Sequence, residues 1–201
     1  MIKDAQPAHP IHDLIAKRWS PYCYDPRPVE PEKLESCLEA ARWAASSYNE
    51  QPWTYILAMR EDPPEFSKLL GCLLEANQFW AQHAGVLMLG VISTTFSRNG
   101  KPNRVALHDL GLAAGNICLQ ATALGLSVHQ MAGIDPEKAR GVYSIPDSHL
   151  PCTAIAVGYA ASPEASDPQL AERDRAARGR KPLAEFVYQG QWGKTAYPES
   201  L

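Results

Sequence analysis

The chain has 201 residues, a length that suits one domain with a single hydrophobic core. It carries 19 Lys and Arg against 22 Asp and Glu, a formal charge of −3, which gives no reason to expect a nucleic acid partner. The longest apolar run, Ala84 to Ile92, is too short to span a membrane, so we expect no membrane partner.

The first half of the chain predicts helices that alternate with two buried strands. Pro31 can begin a helix without losing a hydrogen bond, and Leu34 and Ala41 follow at the spacing of one buried stripe. WTYILAM and GVLMLGVIS are short apolar runs typical of buried strands. The predicted helices are Ile11 to Lys17, Pro31 to Ala45, and Phe66 to His83 with a break near Gly71; the predicted strands are Trp53 to Met59 and Gly85 to Ser93.

The second half begins with the longest predicted helix, Arg104 to Leu124. This helix is apolar nearly all round, which favours a position buried on several sides, either in the domain centre or at a subunit interface. Helices that alternate with apolar strands predict a sheet covered on both faces. The other predicted elements are strands from Ser127 to Met131 and Thr153 to Tyr159, a helix from Pro136 to Val142, a polar loop from Ser162 to Gln169 and an extended segment from Glu185 to Gln189.

Several common functional motifs are missing from the sequence. There is no GxGxxG after a strand, no P-loop and no GxSxG of a serine hydrolase. The six histidines and five cysteines are scattered, so we expect no metal site and free, reduced cysteines. Residues 1–15 lack the apolar core of a secretion signal, which predicts a cytoplasmic protein.

The junction between the predicted helix at Pro31 and the first strand stands out. Its sequence, SSYNEQPW at residues 46–53, concentrates hydroxyl and amide groups immediately before a buried strand. Such residues often only cap a helix and form a turn. The alternative is a binding site for a planar heteroaromatic ligand, whose edge these groups would hydrogen-bond.

The SSYNEQPW run resembles the SSxNxQPW signature of the nitroreductase family, whose members are FMN-dependent homodimeric oxidoreductases. Four further segments match the family in the same order, and the resemblance spans residues 11–192. They are KRWS (17–20), similar to an amino-terminal element that binds the FMN phosphate and ribityl chain; NQ (77–78), whose Asn approaches the flavin; MAGID (131–135), whose backbone faces the flavin; and RGRKPL (178–183), a late basic element.

The resemblance implies which residues bind the cofactor. Arg18 and two late arginines would hold the FMN phosphate, whose charge suits guanidinium donors. The side chains at residues 46–49 would contact FMN held partly by the partner subunit. No side chain is predicted to be catalytic, because flavin N5 carries the hydride. The predicted cofactor-binding residues are Arg18, Trp19, Ser20, Ser46, Ser47, Asn49, Gln51, Asn77, Trp80, Met131, Ala132, Gly133, Arg178 and Arg180.

Two positions depart from the family pattern. Tyr22 stands where many relatives have a second basic residue, which would remove one phosphate contact. Trp80 stands where some relatives have a Lys near the N1/O2 edge of the flavin. The reduced flavin would then depend more on Asn77 and on backbone dipoles.

From the resemblance we expect an α+β fold, a three-layer α/β/α sandwich of the nitroreductase type, with a mixed sheet covered by helices, in an intertwined homodimer. Residues 1–201 would form one FMN-binding domain, with 1–9 a flexible N-terminal extension and 160–201 a C-terminal extension that returns to the FMN phosphate and wraps the partner. The expected activity is hydride transfer from NADH or NADPH to a nitroaromatic, quinone or enone by a ping-pong mechanism. Reductive dehalogenation, flavin fragmentation, and flavin storage without turnover are the alternatives.

Overall fold

The computed structural model describes residues 3–197 and is built around a sheet of four strands. Residues 1–2 and 198–201, the ends of the two predicted extensions, lie outside the described residues. The strands are β1 (Trp53–Met59), β2 (Val86–Ser93), β3 (Ser127–Met131) and β4 (His149–Gly158). The helices are α1 (Asp13–Lys17), α2 (Pro31–Arg42), α3 (Pro63–Leu70), α4 (Glu75–Ala81), α5 (Ala106–Ala123), α6 (Pro136–Tyr143) and α7 (Pro168–Arg175).

The sheet is antiparallel, with the strand order β1-β2-β4-β3. β1 pairs with β2, β2 with β4, and β3 with β4, and each of these pairs within residues 3–197 is antiparallel. The crossover through α5 does connect two parallel strands, β2 and β3. Because β4 lies between them, β2 and β3 do not hydrogen-bond to each other, and the prediction of a mixed sheet was wrong.

Helices cover both faces of the sheet, which confirms the α+β fold and the predicted sandwich. Along the central strand β2, Val86 and Met88 point to one face and pack with α2 and α5. Leu87 and Leu89 point to the other face and pack with α3, α4 and α6. Within the described part of the chain, no helix combines the length and the apolar character needed to cross a bilayer.

Most predicted boundaries lie within two residues of the observed ones, and three larger differences have local causes. Helix α3 begins at Pro63, three residues before the predicted Phe66, because the Asp62 side chain accepts a hydrogen bond from the first turn. Helix α2 ends at Arg42, not at Ala45. The last turn tightens because the Ala44 N–H donates to the Ala41 carbonyl oxygen, an i to i+3 hydrogen bond, and the chain then turns toward residue 46. β4 begins at His149, four residues before the predicted start. Cys152 bulges out of register at that point, and a bulge tolerates the missing N–H of Pro151.

The C-terminal part is more helical than the sequence predicted. The polar loop predicted from Ser162 to Gln169 is interrupted because α7 begins at Pro168, where the Asp167 side chain accepts hydrogen bonds from the first N–H groups of the helix. The extended segment predicted from Glu185 to Gln189 starts instead in a 3₁₀ turn over Leu183–Glu185. Local capping was the signal that the sequence analysis overlooked.

Helix α7 holds the amino-terminal segment of the chain through one buried carboxylate. Asp174 is 1% exposed and accepts hydrogen bonds from the backbone N–H groups of Tyr22 at 2.9 Å and Cys23 at 3.0 Å. A carboxylate is acceptor-only, so it can satisfy both N–H groups at once. This contact fixes the chain immediately after Arg18–Ser20, the predicted phosphate-binding segment.

We expect Asp174→Asn to lower the free energy of unfolding by about 1.5–3 kcal/mol, because one of the two N–H groups would then face an amide donor. Glu172→Gln is the matched control, since Glu172 is exposed on the same helix. Urea unfolding at one fixed protomer concentration measures both variants. Equal stability of Asp174→Asn and the control would contradict this role.

Candidate active site

A cleft of about 490 Å³ lies between α5, β3 and the segment that precedes Pro21. We call it the arginine cleft. It contains two predicted site residues, Arg18 and Ser20, and several residues that the sequence analysis did not select. Its lining consists of Arg18, Ser20, Gly111, Leu112, Gly115, Asn116, Cys118, Leu119, His129 and Gln130.

The extended segment Arg18–Ser20 presents alternate side chains to the cleft. Arg18 Nη1 donates a hydrogen bond to Ser20 Oγ at 3.2 Å, and both side chains line the arginine cleft. Trp19 points away and lines a separate cleft of about 290 Å³. Neighbouring residues of an extended chain point to opposite sides, so the structure does not bring Trp19 together with Arg18 and Ser20 as predicted.

Arg178 fixes the backbone of the phosphate-binding segment. Its guanidinium donates to the carbonyl oxygens of Ala16 and Arg18, both at 2.9 Å, and also to the Lys3 carbonyl. Three of its donors are thus occupied by backbone groups from the other end of the chain. The structure therefore gives Arg178 a positioning role behind Arg18. Within the described residues its two remaining N–H donors are available, and the direct phosphate contact implied by the resemblance stays a prediction.

Arg18, Arg178 and Arg180 form a group that we call the arginine cluster. Burial lowers the pKa of the Arg178 guanidinium, and the positive charges of Arg18 and Arg180 lower it further. Within residues 3–197, no carboxylate lies within 4.0 Å of any of the three guanidinium groups. Because like charges repel, this arrangement favours an anionic ligand.

Asn77 and Gly133 bring two predicted segments into contact. Asn77 Nδ2 donates to the Gly133 carbonyl oxygen at 3.0 Å, and the Leu74 N–H donates to the same oxygen at 3.0 Å. A Cβ added at Gly133 would collide with Asn77 Nδ2, so a larger residue there would displace the Asn77 side chain from this hydrogen bond. The segment Met131–Gly133 therefore leaves β3 in a position set by the start of α4.

Trp80 belongs to the hydrophobic core and does not line the arginine cleft. It is 1% exposed, and its Nε1 donates to Asn77 Oδ1 at 3.3 Å. Its ring stacks on His129, with 4.3 Å between ring centroids, and Tyr22 packs edge-on against both rings. Its burial leaves Trp80 without an exposed surface for the predicted direct contact with the cofactor. Trp80 instead positions Asn77 and His129.

His129 is held as the neutral Nδ1–H tautomer. Its Nδ1 lies 2.8 Å from the Pro21 carbonyl oxygen, and because a carbonyl only accepts, Nδ1 carries the proton. Burial lowers the pKa of the imidazole, outweighing the Pro21 hydrogen bond and the Asp174 carboxylate, which favour the charged form. Nε2 has no hydrogen-bond partner within residues 3–197. It is therefore an available hydrogen-bond acceptor on a residue that lines the same cleft as the donors of Arg18.

The 46–51 loop contacts the beginning of α5 but does not line the arginine cleft of its own chain. The Ser47 N–H donates to Asp109 Oδ2 at 3.0 Å, and the cleft begins two residues farther along α5, at Gly111. None of the predicted residues in this loop lines the arginine cleft: Ser46, Ser47, Asn49 and Gln51.

Two sequence features could have identified missed cleft residues. Gly111 and Gly115 are four residues apart on an apolar helix, and an added Cβ would meet nothing within 4 Å at either position. Gln130 directly precedes the MAGID segment, and its Nε2 donates to Cys118 Sγ at 3.2 Å. Burial raises the pKa of the Cys118 thiol, which keeps it protonated.

Comparison with known proteins gives a consistent result. The sequence model of the nitroreductase family matches residues 15–159. A crystal structure described as an oxidoreductase containing FMN is 32% identical to this chain, covers 94% of it and 96% of itself, and superposes with a TM-score of 0.87. A nitroreductase family protein from Clostridium difficile 630 is 28% identical over 89% of this chain and 96% of its own, with a TM-score of 0.69. The major NAD(P)H-flavin oxidoreductase of Aliivibrio fischeri is 24% identical over 75% of this chain and 88% of its own.

We expect the His129 imidazole to titrate below its ordinary value of 6.5, since burial is the largest influence on its pKa. The ring should therefore be mostly neutral at pH 6.5 and become protonated only as the pH falls further. ¹⁵N-detected NMR of the imidazole, assigned with a His129→Gln variant, gives both the midpoint and the tautomer. A midpoint above 6.5, or a proton on Nε2 in the neutral form, would rule out this description.

Proposed function

This chain belongs to the nitroreductase family, and from that premise we propose that it is a cytoplasmic FMN-dependent oxidoreductase. It would transfer hydride from NADH or NADPH to a small electron-poor acceptor such as a nitroaromatic, a quinone or an enone. The observation that carries the proposal is the arginine cluster, in which cationic groups from both ends of the chain meet beside a cleft. All five cysteines are free thiols, which agrees with a reducing compartment.

The donors around the arginine cleft suit the phosphate of FMN. Arg18 and Ser20 line the cleft. Arg180 is exposed, directs one N–H to the Gly179 carbonyl oxygen, and lies near enough to Arg178 for their charges to repel. A phosphate with nearly two negative charges would offset the repulsion within the arginine cluster. Arg178 would keep Arg18 in place through the backbone.

The end of β3 and the start of α4 suit the flavin ring. Asn77 would contact the ring edge, and the glycine at position 133 leaves room for the Asn77 side chain, so that the backbone of Met131–Gly133 lies beside it. His129 Nε2 would accept a hydrogen bond from an N–H or hydroxyl donor. FMN, when bound, supplies the redox chemistry by carrying hydride between nucleotide and acceptor, so neither a metal nor a side-chain nucleophile is required.

A homodimer would bring the 46–51 loop to the cofactor. In one chain these residues, Ser46, Ser47, Asn49 and Gln51, do not line the arginine cleft, and in a homodimer they would complete the cleft of the other copy. Helix α5 offers a surface for such a contact, because Leu107 is 57% exposed and Gly111 and Gly115 leave the helix backbone open. Such shared interfaces follow two-fold symmetry.

The proposal includes residues 1–201 as one FMN-binding domain. Its C-terminal extension, residues 160–201, would stabilise the phosphate site through Asp174 and Arg178, which contact the amino-terminal segment. Flavin storage without turnover, suggested by Trp80 in place of a cation, is the alternative that titration with NAD(P)H separates from an enzyme. No observation favours dehalogenation or flavin fragmentation.

The function is tested by absorbance of the purified protein and by anaerobic titration. We expect bound FMN that loses its visible absorbance with NADH or NADPH and recovers it with a quinone or nitroaromatic. Because the two substrates would use one site in turn, initial-rate plots should be parallel. A protein that binds no added FMN would overturn the proposal, and FMN that NAD(P)H does not bleach would leave only a storage role.

We expect Arg180→Ala to weaken FMN binding by about 1.5–3 kcal/mol, the contribution of a charged hydrogen bond. Riboflavin, which lacks the phosphate, should bind the variant and the wild type equally. Arg175→Ala is the matched control, since Arg175 is an exposed cation at the end of α7 that pairs with Glu164. Fluorescence titration of the three apoproteins with FMN and with riboflavin measures all six affinities, and an unchanged FMN affinity would assign Arg180 to a solvated surface.

A further inference from the structure

Tyr48, within the SSYNEQPW run, has an unfavourable backbone and an exposed ring. Its φ is 55° and its ψ 23°, and Asn49 and Gln51 also have positive φ, of 56° and 51°. Bulky residues rarely adopt this left-handed conformation, and where they do the cost is often associated with a functional site. The Tyr48 side chain is nevertheless 72% exposed. The strain therefore does not serve to bury the ring in its own chain.

Hydrogen bonds on both sides hold the loop in this conformation. The Ser47 N–H donates to Asp109 Oδ2 at 3.0 Å, and Asp109 is 2% exposed. On the other side of Tyr48, Glu50 Oε1 accepts a hydrogen bond from the Ser97 N–H at 2.6 Å. These contacts fix the direction of the Tyr48 side chain, and they join the loop to the segment that follows β2.

That segment places a cation on the Tyr48 ring. The Arg98 guanidinium carbon lies 3.8 Å from the ring centroid, and Phe96 packs edge-on against Tyr48 at 5.9 Å. Within residues 3–197, Arg98 forms no ion pair within 4.0 Å and donates no side-chain hydrogen bond. A guanidinium stacked on a ring through its face keeps the N–H donors at its edge free.

We propose that Tyr48 and Arg98 select the acceptor: Tyr48 contacts the plane of an aromatic or quinonoid ring, and Arg98 binds a carboxylate or similar anion on that ring. The preferred acceptors are therefore planar and negatively charged. This inference rests on the proposed function, in which the 46–51 loop reaches the cofactor of the partner subunit. A forked guanidinium matches a carboxylate geometrically.

The test compares 4-nitrobenzoate with 4-nitrobenzamide, which have similar shapes and differ in charge. In Arg98→Gln, kcat/KM for 4-nitrobenzoate should fall about 3- to 10-fold relative to 4-nitrobenzamide, because the variant loses the charged partner of the carboxylate. Arg104→Gln removes an equal charge from an exposed position farther along the same segment and should change this ratio less than about twofold. Arg98→Lys should keep part of the preference, since it keeps the charge.

Binding provides a second measurement that does not depend on turnover. Calorimetric titration of the FMN-loaded protein with benzoate and benzamide should show the same selective loss for benzoate in Arg98→Gln. An unchanged benzoate-to-benzamide ratio, or equal losses for both, would overturn the inference and leave Arg98 a packing residue. An effect seen only as slower bleaching by NADPH than by NADH would also overturn it, because the anion recognised would then be the nucleotide phosphate. If the wild-type protein holds no FMN or reduces neither nitro compound, the proposed function fails first.

Discussion

The segment Arg18–Ser20 has no regular secondary structure, and residues from the opposite end of the chain hold it in place. Arg178 donates to the Arg18 carbonyl oxygen at 2.9 Å, and Asp174 accepts the N–H groups that follow at residues 22 and 23. These contacts bring like charges together, at an electrostatic cost that a bound anion would reduce. The phosphate site is therefore an arrangement of the whole chain, and the C-terminal extension is part of it.

A residue of the hydrophobic core positions the polar groups that we propose to contact the flavin. Trp80 is buried, yet it contacts Asn77 through a hydrogen bond and His129 through stacking. Asn77 in turn donates to the Gly133 carbonyl oxygen. One buried indole therefore orients Asn77 and His129 directly, and Gly133 through Asn77. The aromatic residue at position 80 thus acts on the site indirectly, by fixing a neutral imidazole with a free acceptor.

Local sequence was sufficient to locate the strands, because apolar runs depend on neighbouring residues, whereas the cofactor-binding segments stay predictions from short motifs. The bounds of β1 and β3 were predicted to the residue. Side-chain direction was not predictable: Trp19 turns away from the cleft, and Trp80 enters the core, because contacts distant in sequence decide both. His129 was missed for the same reason, since its partner Pro21 lies 108 residues earlier.

The central claim is that each site combines the arginine cleft of one subunit with the 46–51 loop of the other. Mixing Arg18→Ala and Asn49→Ala proteins and allowing subunits to exchange tests it directly. A heterodimer with two-fold symmetric sites would carry both lesions in one site and none in the other, so the mixture should recover about a quarter of wild-type FMN binding and activity. No recovery, with subunit exchange demonstrated, would place all the binding residues in one chain and contradict the account.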